Sequence, residues 1–207
     1  MGIGVRSNLD ADPGECIIRG MSLVLASASP RRRELLAAAG FTVEVDPPQV
    51  DEAQQPGEPP AEYIERVTRD KAAVVSARRP DRTVIAADTA VLVDGEVLGK
   101  PADDEDAARM LRRLSNRSHD VWTGVAVARA GQVAYALERT RVWMLPLSEA
   151  DVRWYVESGE PRGKAGGYAI QGLASRFVPR IEGSWSNVVG LPVATVLQLL
   201  EQVGDPG

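Results

Sequence analysis

The stretch SLVLASASPRRRELLAAAG, residues 22–40, runs from an apolar strand signal through a serine-rich turn into a helix. Residues 23–26 are uniformly apolar, as a buried strand requires. Ser29 suits a helix N-cap, and Pro30 suits the first helical position, where its missing N–H is not needed. Leu35, Leu36 and Ala39 share one face, and Gly40 supplies the stop. The turn therefore presents hydroxyls, unpaired N–H groups and the guanidinium groups of Arg31, Arg32 and Arg33 at a helix N-terminus. Orphan N–H donors, the positive end of the helix dipole and arginine forks together make an anion site. They also describe an ordinary capped helix with solvated arginines. No GxxxxGK[ST] phosphate loop occurs in the chain.

Outward from this unit, residues 41–45 read as a second strand and 46–60 as a proline-rich loop. A long helix is expected over 60–78, with Tyr63, Ile64, Val67, Ala72 and Val74/Val75 on its inner stripe. The apolar runs 84–87 and 90–93 flank Asp88-Thr89, and Asp94-Gly95 is a hairpin turn before 96–98. A helix over 103–114 carries acidic residues in its first turn and arginines in its last. Gly131 separates two strands, 121–130 and 132–138, and 140–145 continues the sheet. Ser148 with Asp151 approximates a capping box for a helix to Ser158. Residues 159–190 are glycine-rich and mostly loop, with strand-like 168–170 and 178–181, and a last helix covers 192–203. Strands mixed with helices and partly joined by hairpins indicate an α/β fold with a mixed twisted sheet and flanking helices.

Composition narrows the function. The 207 residues are 44% apolar and 26% charged, with a net charge of −5, so no global basic field invites nucleic acid. No apolar run approaches the roughly 18 to 20 residues of a membrane span. The one cysteine, Cys16, excludes an internal disulfide framework and a cysteine-based zinc site, and a reducing cytoplasm is the expected compartment. Residues 1–20 are polar, lack a secretory signal's apolar core, and read as a flexible extension before a single domain over 21–207. Of the 24 basic residues only Lys71, Lys100 and Lys164 are lysine. Positions that need a compact ammonium on a flexible stem resist replacement by arginine, and two of the three sit beside glycine turns.

Asp88 is the carboxylate with chemical potential. Apolar on both sides, it is expected at a buried strand end, where a lone carboxylate costs several kcal/mol unless paired or metal-bound. Glu52, in the proline-rich loop, matters only if the fold brings it near Asp88. His119 is the sole histidine, which excludes Ser–His–Asp triads and multi-histidine metal sites. The four tryptophans, Trp122, Trp143, Trp154 and Trp185, are scattered as core anchors would be. The run GGYAIQG, 166–172, reads equally as a turn-rich connection or as a tight loop admitting a planar ligand. In the second case Gln171 pairs its donor and acceptor with a base edge; its amide can flip to follow either pyrimidine, so discrimination against CTP requires that the turns at Gly167 and Gly172 hold it in one orientation.

Taken together, the segments resemble the Maf family of nucleoside triphosphate pyrophosphatases linked to septum formation. The matching pieces are LASASPRR (25–32), Val50-Asp51-Glu52, Asp70-Lys71-Ala72, AADT (86–89), LGKP (98–101), the region from Leu114 to Val125, KAGGYAIQG (164–172) and NVVGLP (187–192). The resemblance implies two lobes around a cleft, a fold related to inosine triphosphate pyrophosphatases, and a homodimer. It also implies hydrolysis of a nucleoside triphosphate to monophosphate and pyrophosphate with a divalent cation, Mg2+ or Mn2+; from charge and hydropathy no nucleic-acid or membrane partner is expected. By the same resemblance Asp88 is the general base and, with Glu52, a metal ligand, while Lys71 and Lys100 complete the catalytic set. Ser29, Arg31, Arg32, Thr89 and Gln171 bind substrate. Arg31, Thr89 and Gln171 select it and match the branch acting on dTTP and UTP rather than that preferring 7-methylguanosine triphosphate. A non-catalytic regulator of septation that senses nucleotide is the rival class.

Overall fold

The computed structural model describes residues 23–204. The extension expected over 1–20 and Cys16 lie outside the described residues. In chain order the elements are β1 (Leu23–Ala26), α1 (Pro30–Ala38), β2 (Val43–Val45), α2 (Pro60–Arg78), β3 (Thr83–Val93), β4 (Glu96–Leu98) and α3 (Asp104–Leu114). There follow β5 (Ser118–Arg129), β6 (Gln132–Trp143), α4 (Glu149–Glu157), β7 (Arg180–Glu182), α5 (Trp185–Val189) and α6 (Val193–Gly204). Seven strands form one sheet in the order β2-β1-β3-β5-β6-β7, with β4 paired to β3. The β1 strand is parallel to β2 and β3, and the remaining pairs are antiparallel, so the sheet is mixed.

Local chemistry accounts for most of these elements. Asp94 and Gly95 (φ 55° and 78°) close the β3–β4 hairpin, and Ala130 and Gly131 (φ 48° and 84°) close β5–β6. Two successive positive φ angles give the turn whose twist matches the flanking strands. The Asp103 side chain caps α3 through the Asp106 N–H, and Ser148 with Asp151 forms the expected capping box on α4. Ser29 departs from expectation: its side chain caps nothing, and its own N–H goes to Ser27 Oγ at 3.2 Å. Residues 168–170 follow a short 3-10 turn and pair with no strand, the strand expected over 178–181 is shorter and shifted, and α5 was not anticipated.

Alternation along β3 sorts its side chains between layers. Val84 and Ala86 pack with Ala72 and Val75 of α2, whereas Ile85 and Ala87 pack with Leu36 of α1 and Leu199 of α6. Farther along, Val91 and Val93 join a separate core with Leu111 of α3 and Tyr155 of α4. One sheet thus supports two cores on that face, and Thr89 falls at their boundary. Asp88 shares the α2 face. It lies in mid-strand opposite Gly124 rather than at a strand end, because the β3–β5 ladder is continuous from Val84 to Leu92. What ends there is the neighbour: β1 pairs no farther than Ala86, and β4 pairs with β3 only from Val91 onward. The intervening edge of β3 opens into a cleft beyond the carboxyl end of β1, the usual place for ligands in open α/β sheets.

Gly124 sets the approach of α2. A methyl group there would stand 2.7 Å from Thr68 Oγ1 and 2.8 Å from Ile64 Cγ2, both on α2. Gly124→Ala is expected to push α2 off the sheet and cost about 1–3 kcal/mol, the usual range for overpacking. The urea midpoint measures it; an unchanged midpoint would mean that α2 moves aside freely.

Candidate active site

Lys71 occupies the inner face of α2, one turn after Thr68 and one before Val75, and is only 5% exposed. Its Nζ lies 2.7 Å from Asp88 Oδ1 and 2.8 Å from Glu52 Oε1. The ammonium therefore compensates a carboxylate that the hydrophobic sheet would not otherwise tolerate. Glu52 reaches this point because its loop is tied to α2. Tyr63 donates to the Glu52 carbonyl at 3.0 Å, and Arg66 donates to the Ala53 carbonyl at 2.9 Å and pairs with Glu58 at 2.6 Å. Lys100, exposed after β4, lies 3.6 Å from Glu52 Oε2. Burial tends to raise the Glu52 carboxyl, but the hydrogen bond and charge of Lys71, with Lys100 and Arg32, outweigh it and hold it below its usual range. Asp88 Oδ2 has no hydrogen-bond partner among the described residues.

Arg32 plays a different part. Nε donates to the Gly190 carbonyl (2.8 Å), one terminal nitrogen to the Ala87 carbonyl (2.8 Å) and Ser27 Oγ (3.2 Å), and the other to Thr89 Oγ1 (3.0 Å). Four of its five N–H donors are thus committed to the protein. Burial pushes its pKa down, against the pull of Asp88. Thr89 continues the network to Thr123 Oγ1 (3.0 Å), which donates to the Asn187 carbonyl (3.3 Å). The Asn187 amide in turn donates to Val121 and Thr140. Arg32 fastens α1, β3 and the turn after α5 to one another.

Ser29, Arg31, Arg32, Glu52, Lys71, Asp88, Thr89, Lys100 and Gln171 all line one cleft of about 600 Å³. Sequence reading offered Ser27 among the hydroxyls of the turn but missed Tyr63, Thr123, Asn187 and Gly190 as site residues, whose parts depend on partners far away in the chain. Gln171 is exposed and makes no hydrogen bond among the described residues. No hydrogen bond from the glycine turns reaches its amide among the described residues. No group of three or more His, Cys, Asp or Glu side chains converges among the described residues. Asp88 and Glu52 offer two hard carboxylates, a set that suits Mg2+ or Mn2+ when substrate phosphates and water complete the shell.

The Maf-like protein family model matches residues 22–203. The chain belongs to the Maf-like family. The dTTP/UTP pyrophosphatase of Symbiobacterium thermophilum is 51% identical over 184 residues, 89% of this chain and 95% of that protein. The dTTP/UTP pyrophosphatase of Anaeromyxobacter dehalogenans is 52% identical over 188 residues, with the same coverage. Among solved structures, the Ham1 protein of Staphylococcus aureus aligns with a TM-score of 0.40 and 16% identity, over 59% of this chain and 71% of that one.

In the Maf-like chain the loop bearing Gln171 is pinned from behind by the one histidine. His119 Nε2 lies 2.7 Å from the Tyr168 hydroxyl, their rings meet edge to face, and Nδ1 is buried without a partner among the described residues. Burial drives its pKa from 6.5 down to about 4, with Asp120 opposing and Arg117 reinforcing. The native state thus stays neutral while the unfolded chain takes up a proton below about pH 6.5. Stability from this group is full above that pH and declines toward pH 4 by about 3 kcal/mol. Urea midpoints followed against pH are expected to fall more steeply for wild type than for His119→Gln across this window. Parallel curves would show that His119 titrates normally when folded.

Proposed function

We propose that this chain hydrolyses nucleoside triphosphates to the monophosphate and pyrophosphate, with dTTP and UTP as substrates. The observation that carries the reading is the line Asp88, Lys71, Glu52, Lys100 along one cleft. Two relatives about half identical to the chain, both dTTP/UTP pyrophosphatases, support the choice of substrate. Lys71 and Lys100 offset the negative charge that would repel a nucleophile from a triphosphate. Asp88 Oδ2 orients a water and takes its proton as the water oxygen bonds to the α-phosphorus. The bond from that phosphorus to the bridging oxygen breaks, and pyrophosphate leaves with the electron pair. Asp88 and Glu52 would hold Mg2+ or Mn2+, which when bound supplies further neutralisation of the phosphates. No helix among the described residues is long and apolar enough to cross a membrane, and the reading places the enzyme in the cytoplasm as a homodimer. Light scattering that returned the 22.2 kDa of a single chain would remove the dimer.

Release of pyrophosphate from dTTP, UTP, CTP, GTP and 7-methylguanosine triphosphate with Mg2+ or Mn2+ tests the reading. Tight nucleotide binding without turnover would favour the septation regulator instead. Asp88→Asn keeps the shape but removes charge and basicity. Its kcat is expected to fall about a hundredfold or more with nucleotide affinity largely kept. Near wild-type kcat would make Asp88 structural.

Gln171→Ala removes an amide that can flip to follow either pyrimidine edge. It is expected to lower kcat/KM for dTTP and CTP alike, by about tenfold for the lost hydrogen bonds. A loss confined to dTTP would show the amide held in one orientation after all.

A further inference from the structure

Although the Gln171 amide makes no hydrogen bond among the described residues, the backbone that carries it is closely held. Residues 169–172 form a tight turn, closed by the Gly172 N–H donating to the Ala169 carbonyl at 3.0 Å. Of the two central side chains, Ile170 is buried in the core that holds Tyr155 and Phe177, and Gln171 is exposed on the cleft. Both ends of the turn are moored to polar groups at the end of α4. On the entry side the Ala169 N–H donates to the Tyr155 hydroxyl at 3.1 Å, and that hydroxyl donates to Glu160 Oε1 at 2.7 Å. On the exit side the Leu173 N–H donates to Glu160 Oε2 at 2.9 Å and the Ala174 N–H to Oε1 at 3.3 Å. Leu173 and Ala174 open a short 3-10 turn, whose first N–H groups have no partner within the turn itself.

Three donors thus converge on one carboxylate. An amide at position 160 has a single oxygen and must turn its NH2 group against one of them. Gly172 belongs to the same arrangement. A methyl group there would stand 2.2 Å from Glu160 Oε2, so the chain passes the carboxylate only where it carries no side chain. With φ at −109°, it is this close approach and not the backbone conformation that calls for glycine. Neither Tyr155 nor Glu160 lines the cleft, so neither is placed to touch a nucleotide. Resting on the reading of Gln171 as the residue that meets the pyrimidine base, we infer that Tyr155 and Glu160 are positioning residues for base recognition. They fix the turn from behind and set the point from which the Gln171 side chain reaches the base, leaving only its own torsions free. A turn displaced by about 1 Å takes the amide out of hydrogen-bonding range. The phosphates meet Lys71 and Lys100, which stand on other segments and do not depend on this mooring.

The experiment combines kcat and KM for dTTP with calorimetric binding of dTMP and of inorganic tripolyphosphate, which has no base. It uses the full chain as wild type, Glu160→Gln, Tyr155→Phe, Gly172→Ala, Gln171→Ala and the double variant Glu160→Gln with Gln171→Ala, with melting temperatures recorded for each. Glu160→Gln is expected to weaken dTMP and raise KM for dTTP about tenfold, the value of the base hydrogen bonds, with kcat changed less. Tripolyphosphate is expected to stay within about twofold, since the loss is confined to the base. Tyr155→Phe keeps the buried ring and Gly172→Ala displaces the carboxylate, so both are expected to weaken dTMP in the same sense and to stand in if Glu160→Gln does not fold. With Gln171 already replaced by alanine, Glu160→Gln is expected to change dTMP by no more than about twofold, because the group it positions is gone. A merely structural glutamate would give the same loss in both backgrounds, and that result would overturn the inference. So would unchanged dTMP affinity in both Glu160→Gln and Tyr155→Phe, or tripolyphosphate weakened as much as dTMP. If Gln171→Ala by itself left dTMP unchanged, the base-contact reading would fall and the inference with it. The coupled loss of dTMP in a protein that turns over no triphosphate would sink the hydrolase reading and leave the positioning role standing.

Discussion

The ammonium of Lys71 is the point on which the rest of the molecule depends. Asp88 is placed by the pleat of β3 on a face otherwise lined with Val84, Ala86 and Ala90, and is 7% exposed. A carboxylate there is tolerable only beside a compact cation that also forms the hydrogen bond. Lys71 meets it at 2.7 Å and reaches Glu52 at 2.8 Å. The close approach of α2 to β5 across Gly124 and the tethering of the Glu52 loop by Tyr63 and Arg66 both serve that geometry. The cost of burying charge is thereby turned into order: three groups from three segments have one arrangement that leaves none unpaired.

A second buried cation organises the other side of the cleft. Arg32 bonds to two backbone carbonyls and two hydroxyls, with Gly190 supplying one acceptor from a backbone at φ 126°. The two arginines of one helical turn thus divide the work. The buried one holds the wall together, and the half-buried Arg31 lines the cleft without an ion pair among the described residues. Electrostatically the cleft has a carboxylate floor compensated by Lys71 and positive charge from Arg31 and Lys100 along its lining. That distribution suits a polyanion entering with its own divalent cation.

Much of this was legible in the chain. The strand–turn–helix at 23–38, the long helix from Pro60, both hairpin turns and the capping box depend on residues within a turn or two of one another. Their local physics is complete in the sequence. The shortage of lysine was a real signal, since two of the three converge on one carboxylate. A lysine at the inner spacing of α2, between Ile64, Val67 and Val75, was a further one that the apolar stripe alone concealed. The β3 break expected at Asp88 came from treating a charged residue as the end of an apolar strand; the carboxylate sits in the ladder because its partner comes from elsewhere.

By itself, then, the sequence determined the fold class, the local elements and the residue types able to handle a polyanion, because periodicity, caps and turns act over short chain distances. Only the tertiary structure decided that Glu52 stands beside Asp88, that Arg32 is saturated while Arg31 makes no ion pair among the described residues, and that Gln171 makes no hydrogen bond there. The contacts of Glu52 with Lys71 and of Arg32 with Ala87 and Gly190 join positions 19 to 158 apart. No local pattern encodes which of several identical side chains will find its hydrogen bonds satisfied; that is settled only when packing removes water and leaves each buried donor one acceptor or none.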